Sequence, residues 1–573
     1  MILQALAQLY EDLAADWRIA RPGWVSTKVH WALSIDENGT LLQVIPLLEQ
    51  TDGKKPRPQQ IDLPAPVKRS SGIAANFLCD NSGYMLGIDN KGKPERSKNC
   101  FAAASALHHQ ILSGVDHPDA AAVLRFFDAW QPEKAADHPA LHDILDQVTA
   151  GGNLVFFTNG HFIHDEPLIR SAWESHYNVA EGERQVCLVT GQPDQIVAVH
   201  PAIKGVDGAQ SSGAALVSFN APAFCSYGKE QGLNAPVGQH AAFAYTAALN
   251  YLLADRAQVQ KIGDTSVVCW AAGAKPQYQA LSLAAIFGQT PPEGMDENTL
   301  RSTVRRLAEG LPCPELDLEP DRPFYILGIA PNAARLSVRF FYRDTFGKLM
   351  KNVNDHHTRM EIVRPSYDRF STLPLWALLR ETVNPNSRDK AASPVLSGAV
   401  ARAIFSGGLY PAALLENTML RIRAERNINR GKAAIIKAYY LRNENAQCPK
   451  EVLTVSLNEN STNIPYTLGR LFAVYEAAQE AANPGINATI RDKYYNAAAS
   501  TPGVIFPVLT NLYQKHIRKL AAGSRIWYEK QVSALMCNLG ETYPARLTLP
   551  EQGAFQLGYY HQTQKRYEKK EEQ

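Results

Sequence analysis

Residues 465–482 read PYTLGRLFAVYEAAQEAA, and Asn483-Pro484-Gly485 follows directly. Apolar and Ala side chains recur at helical spacing along this stretch, and the Asn-Pro-Gly triplet is typical of a turn that ends a helix. Ala-rich helical patterns also occupy most of 397–441, 486–500 and 503–539. Because strand-like patterns nearly disappear over this part of the chain, the sequence predicts a helical bundle there.

The preceding residues alternate between strand-like and helical patterns. Asn38-Gly39 between two apolar runs predicts a hairpin turn, because both residues tolerate positive φ. Strand-like runs occur at 29–35, 41–47, 153–158, 185–190, 214–219, 266–271, 324–330 and 335–342. Helical patterns begin at Ile2 and recur at about 99–114, 119–130, 137–150, 167–178, 238–255 and 294–309. We therefore expect an α+β, multidomain chain, with a mixed α/β portion over 1–399 and an all-α bundle over 400–573.

Prolines and cations crowd residues 50–71, where Pro56, Pro58, Pro64 and Pro66 accompany Lys and Arg. Proline lacks a backbone donor and interrupts regular pairing. The segment is therefore predicted to be an exposed basic loop.

The net charge of the 573-residue chain is only +2, from 58 Lys and Arg against 56 Asp and Glu. This sum hides an asymmetry: residues 1–399 carry 36 − 42 = −6, and residues 400–573 carry 22 − 14 = +8. A basic C-terminal portion suggests contact with a polyanion. The alternative is a solvated helical surface that is rich in Lys and Arg.

Most enzyme and membrane signatures are missing from the sequence. It has no Walker A loop, G-x-G-x-x-G, H-E-x-x-H, G-x-S-x-G or C-x-x-C motif. It also has no uninterrupted apolar run of about 18 residues, and its N-terminus reads as a helix and not as a signal peptide. We expect no catalytic residues, no metal, no cofactor and no membrane association.

Two clusters nevertheless contain metal-ligand residue types. One is His161, His164, Asp165 and His176, and the other is Asp355-His356-His357. Imidazole and carboxylate groups bind divalent metals. Neither cluster has a stereotyped spacing, so loop or capping roles are the alternative.

Residues 200–238 combine small, amide and basic side chains in a form that suits nucleic acid. Gln210, Gln231 and Asn234 carry donors and acceptors that can probe base edges, and Lys204 and Lys229 can contact phosphates. The alternative is a turn-rich loop whose Gly and Asn residues satisfy backbone geometry.

Two basic clusters in the helical portion suit a single strand, whose phosphates attract cations and whose bases stack on aromatic rings. The first lies between Leu420 and Arg442, and the second contains Lys515, Arg518, Lys519 and Arg525, joined by Arg491 and Lys493 beside Tyr494 and Tyr495. The alternative is that the Tyr rings pack in the bundle while the cations extend over it.

Long blocks of the chain resemble the large subunit of type I-C CRISPR Cascade, the Dvulg-subtype (Csd) family. The strongest block runs from Cys187 to Leu253. The others are MILQAL at the start, Arg69-Ser70-Ser71-Gly72, LGIAPNAARLSVRFF (327–341), 466–495 and FQLGYYHQ (555–562).

The resemblance implies a non-catalytic subunit of an RNA-guided antiviral complex, and the eight scattered Cys residues suit a reducing cytoplasm. Such a subunit recognises the protospacer-adjacent motif on target double-stranded DNA, promotes strand opening and R-loop formation, stabilises the displaced strand and helps recruit a helicase–nuclease. Its implied partners are the CRISPR guide RNA, the Cascade backbone and handle-binding subunits, and small subunits. An internal start near Val452 would give a small subunit of 573 − 452 + 1 = 122 residues.

With this resemblance, three sets of residues become candidates. For the DNA motif they are Gln210, Ser211, Ser212, Asn220, Gln231 and Asn234, and for DNA phosphates Lys68, Arg69, Ser70, Ser71, Asn76, Lys204 and Lys229. For the displaced strand they are Arg421, Arg426, Arg430, Arg491, Lys493, Lys515, Arg518, Lys519 and Arg525. Two other functions stay open: a metal-dependent nuclease built on His161, His164, Asp165 and His176, and a purely structural scaffold.

Overall fold

The computed structural model describes residues 1–16, 18–49, 57–67, 72–178, 184–368, 371–388 and 390–567. These residues form two compact units. Unit 1 comprises residues 1–201 and 218–249, and unit 2 comprises residues 202–217 and 250–573. Helices and strands are both present, and the helices predominate toward the C-terminus, so the α+β prediction is confirmed.

Unit 1 is built around short strands and the helices that cover them. Its strands are β1 (Trp24–Val29), β2 (Trp31–Ile35), β3 (Leu41–Pro46), β4 (Leu48–Glu49), β5 (Arg57–Pro64), β6 (Cys79–Asp80), β7 (Leu154–Thr158), β8 (His161–Phe162), β9 (Arg184–Val186) and β10 (Pro193–Gln195). Its helices are α1 (Ile2–Ala15), α2 (Ser82–Met85), α3 (Pro94–Leu112), α4 (Pro118–Ala129), α5 (Leu145–Thr149) and α6 (Pro167–Asn178), followed by α7 (Gln239–Ala254).

The main sheet of unit 1 has the order β3-β2-β7-β6, with β8 paired to β7. Strands β2 and β7 are parallel, and the other pairs are antiparallel. Phe126 and Phe127 from α4 pack with Phe156 from β7 in the core. The predicted Asn38-Gly39 hairpin joins β2 to β3, and Gly39 has a φ of +77°.

Three predictions for this part of the chain were wrong in detail. Residues 57–64, expected in a loop, form β5 and pair antiparallel with β1, while residues 50–56 and 68–71 lie outside the described residues. The helix expected over 137–150 is reduced to α5. The strand expected over 185–190 ends at Val186, where a turn begins.

Unit 2 combines an antiparallel sheet with a large set of helices. The sheet has the order β11-β12-β13-β14, formed by β11 (Gln260–Ile262), β12 (Thr265–Ala271), β13 (Pro323–Asn332) and β14 (Arg335–Thr345). The helices are α8 (Pro276–Phe287), α9 (Glu297–Ala308), α10 (Phe346–Met360), α11 (Leu375–Arg380), α12 (Pro394–Ser406), α13 (Ala412–Glu425), α14 (Arg430–Arg442), α15 (Ile464–Ala482), α16 (Ile490–Ser500), α17 (Pro502–Ile517), α18 (Ala522–Met536) and α19 (Leu549–Lys565).

One apolar core extends through unit 2 from β11 to α19. Val400 is fully buried inside this core, so the packing continues across the position where the charge changes sign. The assignment of separate roles to residues 1–399 and 400–573 stays a prediction. Among the described residues, no helix has the length and apolar character needed to cross a membrane.

Helices α15 and α19 approach each other closely at two glycines, where any larger side chain would clash with the opposite backbone. A Cβ added to Gly469 would lie 2.0 Å from the carbonyl oxygen of Phe555, and one added to Gly558 would lie 2.1 Å from that of Tyr466. Non-bonded heavy atoms inside proteins do not approach each other this closely. The two glycines therefore set the distance between the helices.

We predict that Gly469→Ala lowers the free energy of unfolding of unit 2 by about 3 kcal/mol, because the methyl group forces the two backbones apart. Urea unfolding followed by circular dichroism measures the loss. Gly523→Ala is the matched control, since Gly523 also lies in a helix, α18, and a Cβ added there meets no atom within 4 Å. Equal stability of the two variants would contradict the close-packing argument.

A buried imidazole holds part of the core of unit 1. His108 Nδ1 lies 2.7 Å from the Ala104 carbonyl oxygen, and its Nε2 accepts from the Leu78 amide at 2.9 Å. Leu78 has a φ of +55°, which is unfavourable for a branched side chain. Burial lowers the pKa of His108 from 6.5 to about 4, so the ring is neutral in the folded chain.

Because the folded-state pKa of His108 is depressed, the neutral ring stabilises unit 1 fully above the unfolded pKa near 6.5. That contribution is lost as the pH falls toward 4, by up to about 3 kcal/mol. We expect His108→Gln to be less stable at pH 7 and to lose less stability between pH 7 and 4.5. Urea unfolding at both pH values tests this, with the exposed His142→Gln as control. An unchanged pH dependence in His108→Gln would argue against the neutral ring.

Candidate nucleic-acid interface

The first candidate loop lies in unit 2 and is closed at its base. Ile203 and Ala214 exchange two backbone hydrogen bonds, each of 2.9 Å. The Gly213 amide donates to the Gln210 carbonyl oxygen at 2.9 Å, which closes a tight turn at the tip. Gln210, Ser211 and Ser212 are exposed on this turn. The strand predicted over 214–219 is reduced to isolated bridges at Ala214 and Ala215.

The last residues of α7, which belong to unit 2, and the residues after them fix the base of this loop. The amide of Asn250 accepts from the Lys204 backbone N–H at 2.7 Å and donates to the Ala202 carbonyl oxygen at 3.2 Å. Arg256 donates to the Gly205 carbonyl oxygen at 2.7 Å. The Lys204 side chain is exposed, so a cation lies beside a backbone that is held in place.

The second candidate loop, residues 218–238, lies in unit 1 and is held by Asn234. Its side-chain oxygen accepts from the Ser226 amide at 2.9 Å, and its side-chain nitrogen donates to the carbonyl oxygens of Lys229 and Gln231, both at 3.0 Å. Asn234 is half-buried. In this structure its amide is committed to the shape of the loop, while Gln231 and Lys229 are exposed.

The tip of this second loop carries a residue that the sequence reasoning missed. Tyr227 is 100% exposed and has a φ of +54°, and Gly228 follows with a φ of +71°. An aromatic ring held wholly in solvent on a braced turn is unusual for a soluble chain. The available signal was the Tyr-Gly-Lys triplet inside a polar loop, which strand and helix periodicity does not detect.

The remaining motif and phosphate candidates have varied surroundings. Asn76 is half-buried, and its side-chain oxygen accepts from the Val67 amide at 3.0 Å. Asn220 is exposed. Lys68, Arg69, Ser70 and Ser71 lie outside the described residues. The roles of all of them stay predictions.

The first basic cluster is largely paired inside unit 2. Arg430 is 7% exposed, with an ion pair to Asp368 at 2.9 Å and a hydrogen bond to the Ser371 carbonyl oxygen. Arg421 lies 3.8 Å from Glu425. Arg426 is exposed and donates to the Asp492 carbonyl oxygen. These contacts give Arg421 and Arg430 structural partners.

The second basic cluster is open to solvent. Lys515, Arg518, Lys519 and Arg525 are all exposed on α17, α18 and the turn between them. Lys519 donates to the Asn483 side-chain oxygen at 3.1 Å. Trp527, also on α18, is 51% exposed.

The residues that join the second cluster are less uniform. Lys493 is exposed and lies 5.1 Å from the centre of the Tyr494 ring. Arg491 is half-buried, 3.7 Å from Glu476. Tyr495 is fully buried and donates to Gln556, so this ring packs in the bundle. The exposed part of the cluster is therefore centred on residues 515–525.

The first predicted metal cluster does not form one ligand set in the described structure. His161 faces Asp119 and Glu166 instead of its sequence neighbours. His164 is buried against Phe162, neither ring nitrogen has a hydrogen-bond partner among the described residues, and burial lowers its pKa to about 4. His176 packs against Trp173.

The Asp355-His356-His357 run is also divided among separate partners. Asp355 accepts from Lys351 at 2.8 Å. His356 lies 2.7 Å from the Tyr410 hydroxyl, and His357 lies 2.9 Å from the Ala285 carbonyl oxygen. These contacts are those of a helix packed into a core.

Comparison with known families gives the class of the chain. A family model described as CRISPR-associated protein (Cas_Csd1) matches residues 6–567. The chain therefore belongs to the Cas_Csd1 family, the large subunit of type I-C Cascade, as the sequence blocks quoted above indicated. A search of curated proteins returns no match.

Proposed function

We propose that this Cascade subunit recognises the protospacer-adjacent motif on target double-stranded DNA, promotes strand opening and R-loop formation, and stabilises the displaced strand. The observation that carries the proposal is the pair of exposed loops whose shape is fixed by Asn250 and Asn234. A loop that is ordered before binding loses less conformational entropy on a duplex. Family membership makes a guide-RNA complex the setting for this activity.

The exposed side chains of both loops suit duplex DNA. Gln210 and Gln231 present amide groups that can donate to and accept from base edges, and Ser211 and Ser212 add hydroxyl groups. Lys204 and Lys229 are suited to phosphates that position the duplex. Asn234 contributes by holding the backbone of Lys229 and Gln231, and Tyr227 offers a ring that can stack on a base at an opened step.

The motif-reading role predicts a selective loss of binding in Gln231→Ala. We expect affinity for motif-bearing duplex to fall about 10- to 100-fold, since a good base contact contributes about 1–3 kcal/mol. Binding to a pre-opened bubble target should change far less. Electrophoretic mobility shifts of the assembled guide-RNA complex on both targets measure the difference.

Two further variants sharpen this experiment. Asn234→Ala should reproduce the selective loss through loop shape, while the exposed Gln8→Ala on α1 should bind like the unmodified chain. Equal losses on both targets would contradict motif reading. Full retention of motif-dependent binding in the loop variants would instead support a purely structural scaffold.

The open basic surface of residues 515–525 supports the displaced-strand role. Its four cations are exposed, and Trp527 gives a ring on which a base can stack. Arg430 and Arg421 are omitted from this proposal because acidic side chains already pair with them.

Replacing Arg518 and Lys519 together by Ala should weaken binding to the bubble target and flatten its salt dependence. Two lost contacts to a single strand reduce the slope of log affinity against log salt by about 1.4. Fluorescence anisotropy at several salt concentrations measures the slope. Lys450→Ala, another exposed cation of unit 2, is the control. An unchanged slope in the double variant would remove this surface from the proposal.

Membership of the family supports the remaining elements of the proposal. They are a non-catalytic role, cytoplasmic location, recruitment of the helicase–nuclease, and assembly with the guide RNA and the backbone, handle-binding and small subunits. An internal product that starts near Val452 would contain α15 to α19. The mutual packing of these helices supports a small bundle of this kind.

A further inference from the structure

Unit 1 brings together two imidazoles and two carboxylates from separate parts of the chain. His117 and Asp119 lie at the N-terminus of α4, where His117 is the N-cap residue. His161 begins β8, and Glu166 lies in the turn before α6. The sequence pattern pointed to His161 alone among these four residues.

The spacing of the polar atoms is that of ligands around one ion. His161 Nε2 lies 2.8 Å from Asp119 Oδ2 and 3.1 Å from Glu166 Oε1. A second set of three ligand atoms lies within 4.8 Å of one another, with one atom each from His117, Asp119 and Glu166. Ligands about 2.1 Å from a cation lie about 3.0 Å apart in octahedral geometry and about 3.4 Å apart in tetrahedral geometry.

The hydrogen bonds of the two rings assign them different tasks. His161 Nε2 donates to Asp119 Oδ2 at 2.8 Å, so this ring nitrogen lies on the side of the carboxylates. A cation would replace the hydrogen on Nε2, and the ring would then offer the Nε2 lone pair as a ligand. In His117, Nδ1 accepts from the Asp119 amide at 3.2 Å, so Nε2 carries the hydrogen and faces Glu166 Oε2 at 3.4 Å.

The charge of the cluster favours a cation. Asp119 is only 5% exposed, and Glu166 is three-quarters buried. Within the described residues, the ion pairs of these two carboxylates are made with His117 and His161. Two carboxylates that are largely removed from water and face the same place favour a bound cation, because buried charges need a partner of opposite sign.

We propose that Asp119, His161 and Glu166 bind one divalent cation of the Mn²⁺ or Zn²⁺ class, with His117 orienting Glu166. Mixed imidazole and carboxylate ligands suit these ions. His161 is 38% exposed, so water can complete the coordination sphere. The ion would join the N-terminus of α4 to β8 and to the start of α6, and so stabilise unit 1.

Titration of the full chain with MnCl₂ and ZnCl₂ after dialysis against EDTA tests the proposal. Isothermal calorimetry should show one ion per chain for at least one metal, absent in His161→Gln and Asp119→Asn. A cation concentration about 100 times Kd should raise the thermal midpoint by about 5–10 °C. His117→Asn keeps a capping oxygen and loses the donor to Glu166, so affinity should fall about 10- to 100-fold.

His109→Gln is the matched control, because His109 and Asp128 form an exposed pair of similar spacing, 2.9 Å. This variant should bind the ion like the unmodified chain. If Asp119→Asn fails to fold, the same titration of Glu166→Gln tests whether a carboxylate is needed for ion binding, because Glu166 is more exposed than Asp119. The proposal is overturned if the unmodified chain shows no stoichiometric binding of either metal at millimolar concentration. Undiminished binding in His161→Gln or Glu166→Gln overturns it equally.

Discussion

The close contact between α15 and α19 is the constraint on which unit 2 depends. Gly469 and Gly558 let the backbones touch, and this brings polar side chains of α19 into the core. Those side chains then bond to other helices: Tyr466 lies 2.9 Å from His561, Arg470 donates to Gln562, and Tyr495 donates to Gln556. Because a buried polar group without a partner is costly, the pairs made by Tyr466 and Arg470 favour one register between α15 and α19, and the pair made by Tyr495 ties α16 to α19.

This dependence on polar pairs explains what the sequence could and could not predict. The Ala-rich pattern of α15 was sufficient to predict the bundle, and Asn38-Gly39 was sufficient for the hairpin. Helix α19 has no apolar stripe, because its buried face includes Gln556 and His561, and periodicity therefore did not indicate it. Strand β5 was missed because Pro58 and Pro64 suggested a loop, although they lie near its ends.

The charge of the chain has a similar limit as a predictor, because composition does not show what surrounds each side chain. The basic excess after Val400 suggested a polyanion, yet part of it neutralises acids within unit 2. Arg430 pairs with Asp368 from before Val400, and Lys432 pairs with Glu425. Lys437 is buried, and desolvation lowers its pKa to about 8. A residue count cannot separate such cations from Lys515 and Arg518, since exposure is decided by packing.

The candidate sites differ in how far sequence proximity determines them. Gln210, Ser211 and Ser212 lie on one turn, so their grouping could be predicted from adjacent positions. His161 and His164 are also close in sequence, but the turn that separates them sends His164 into the core and His161 toward Asp119, 42 residues earlier. Asp119 reaches that place because α4 begins there, which ties the carboxylate to the fold of unit 1. A cluster assembled in this way depends on tertiary structure, and a loop tip depends mainly on its own turns, so only the latter can be recognised from a contiguous sequence.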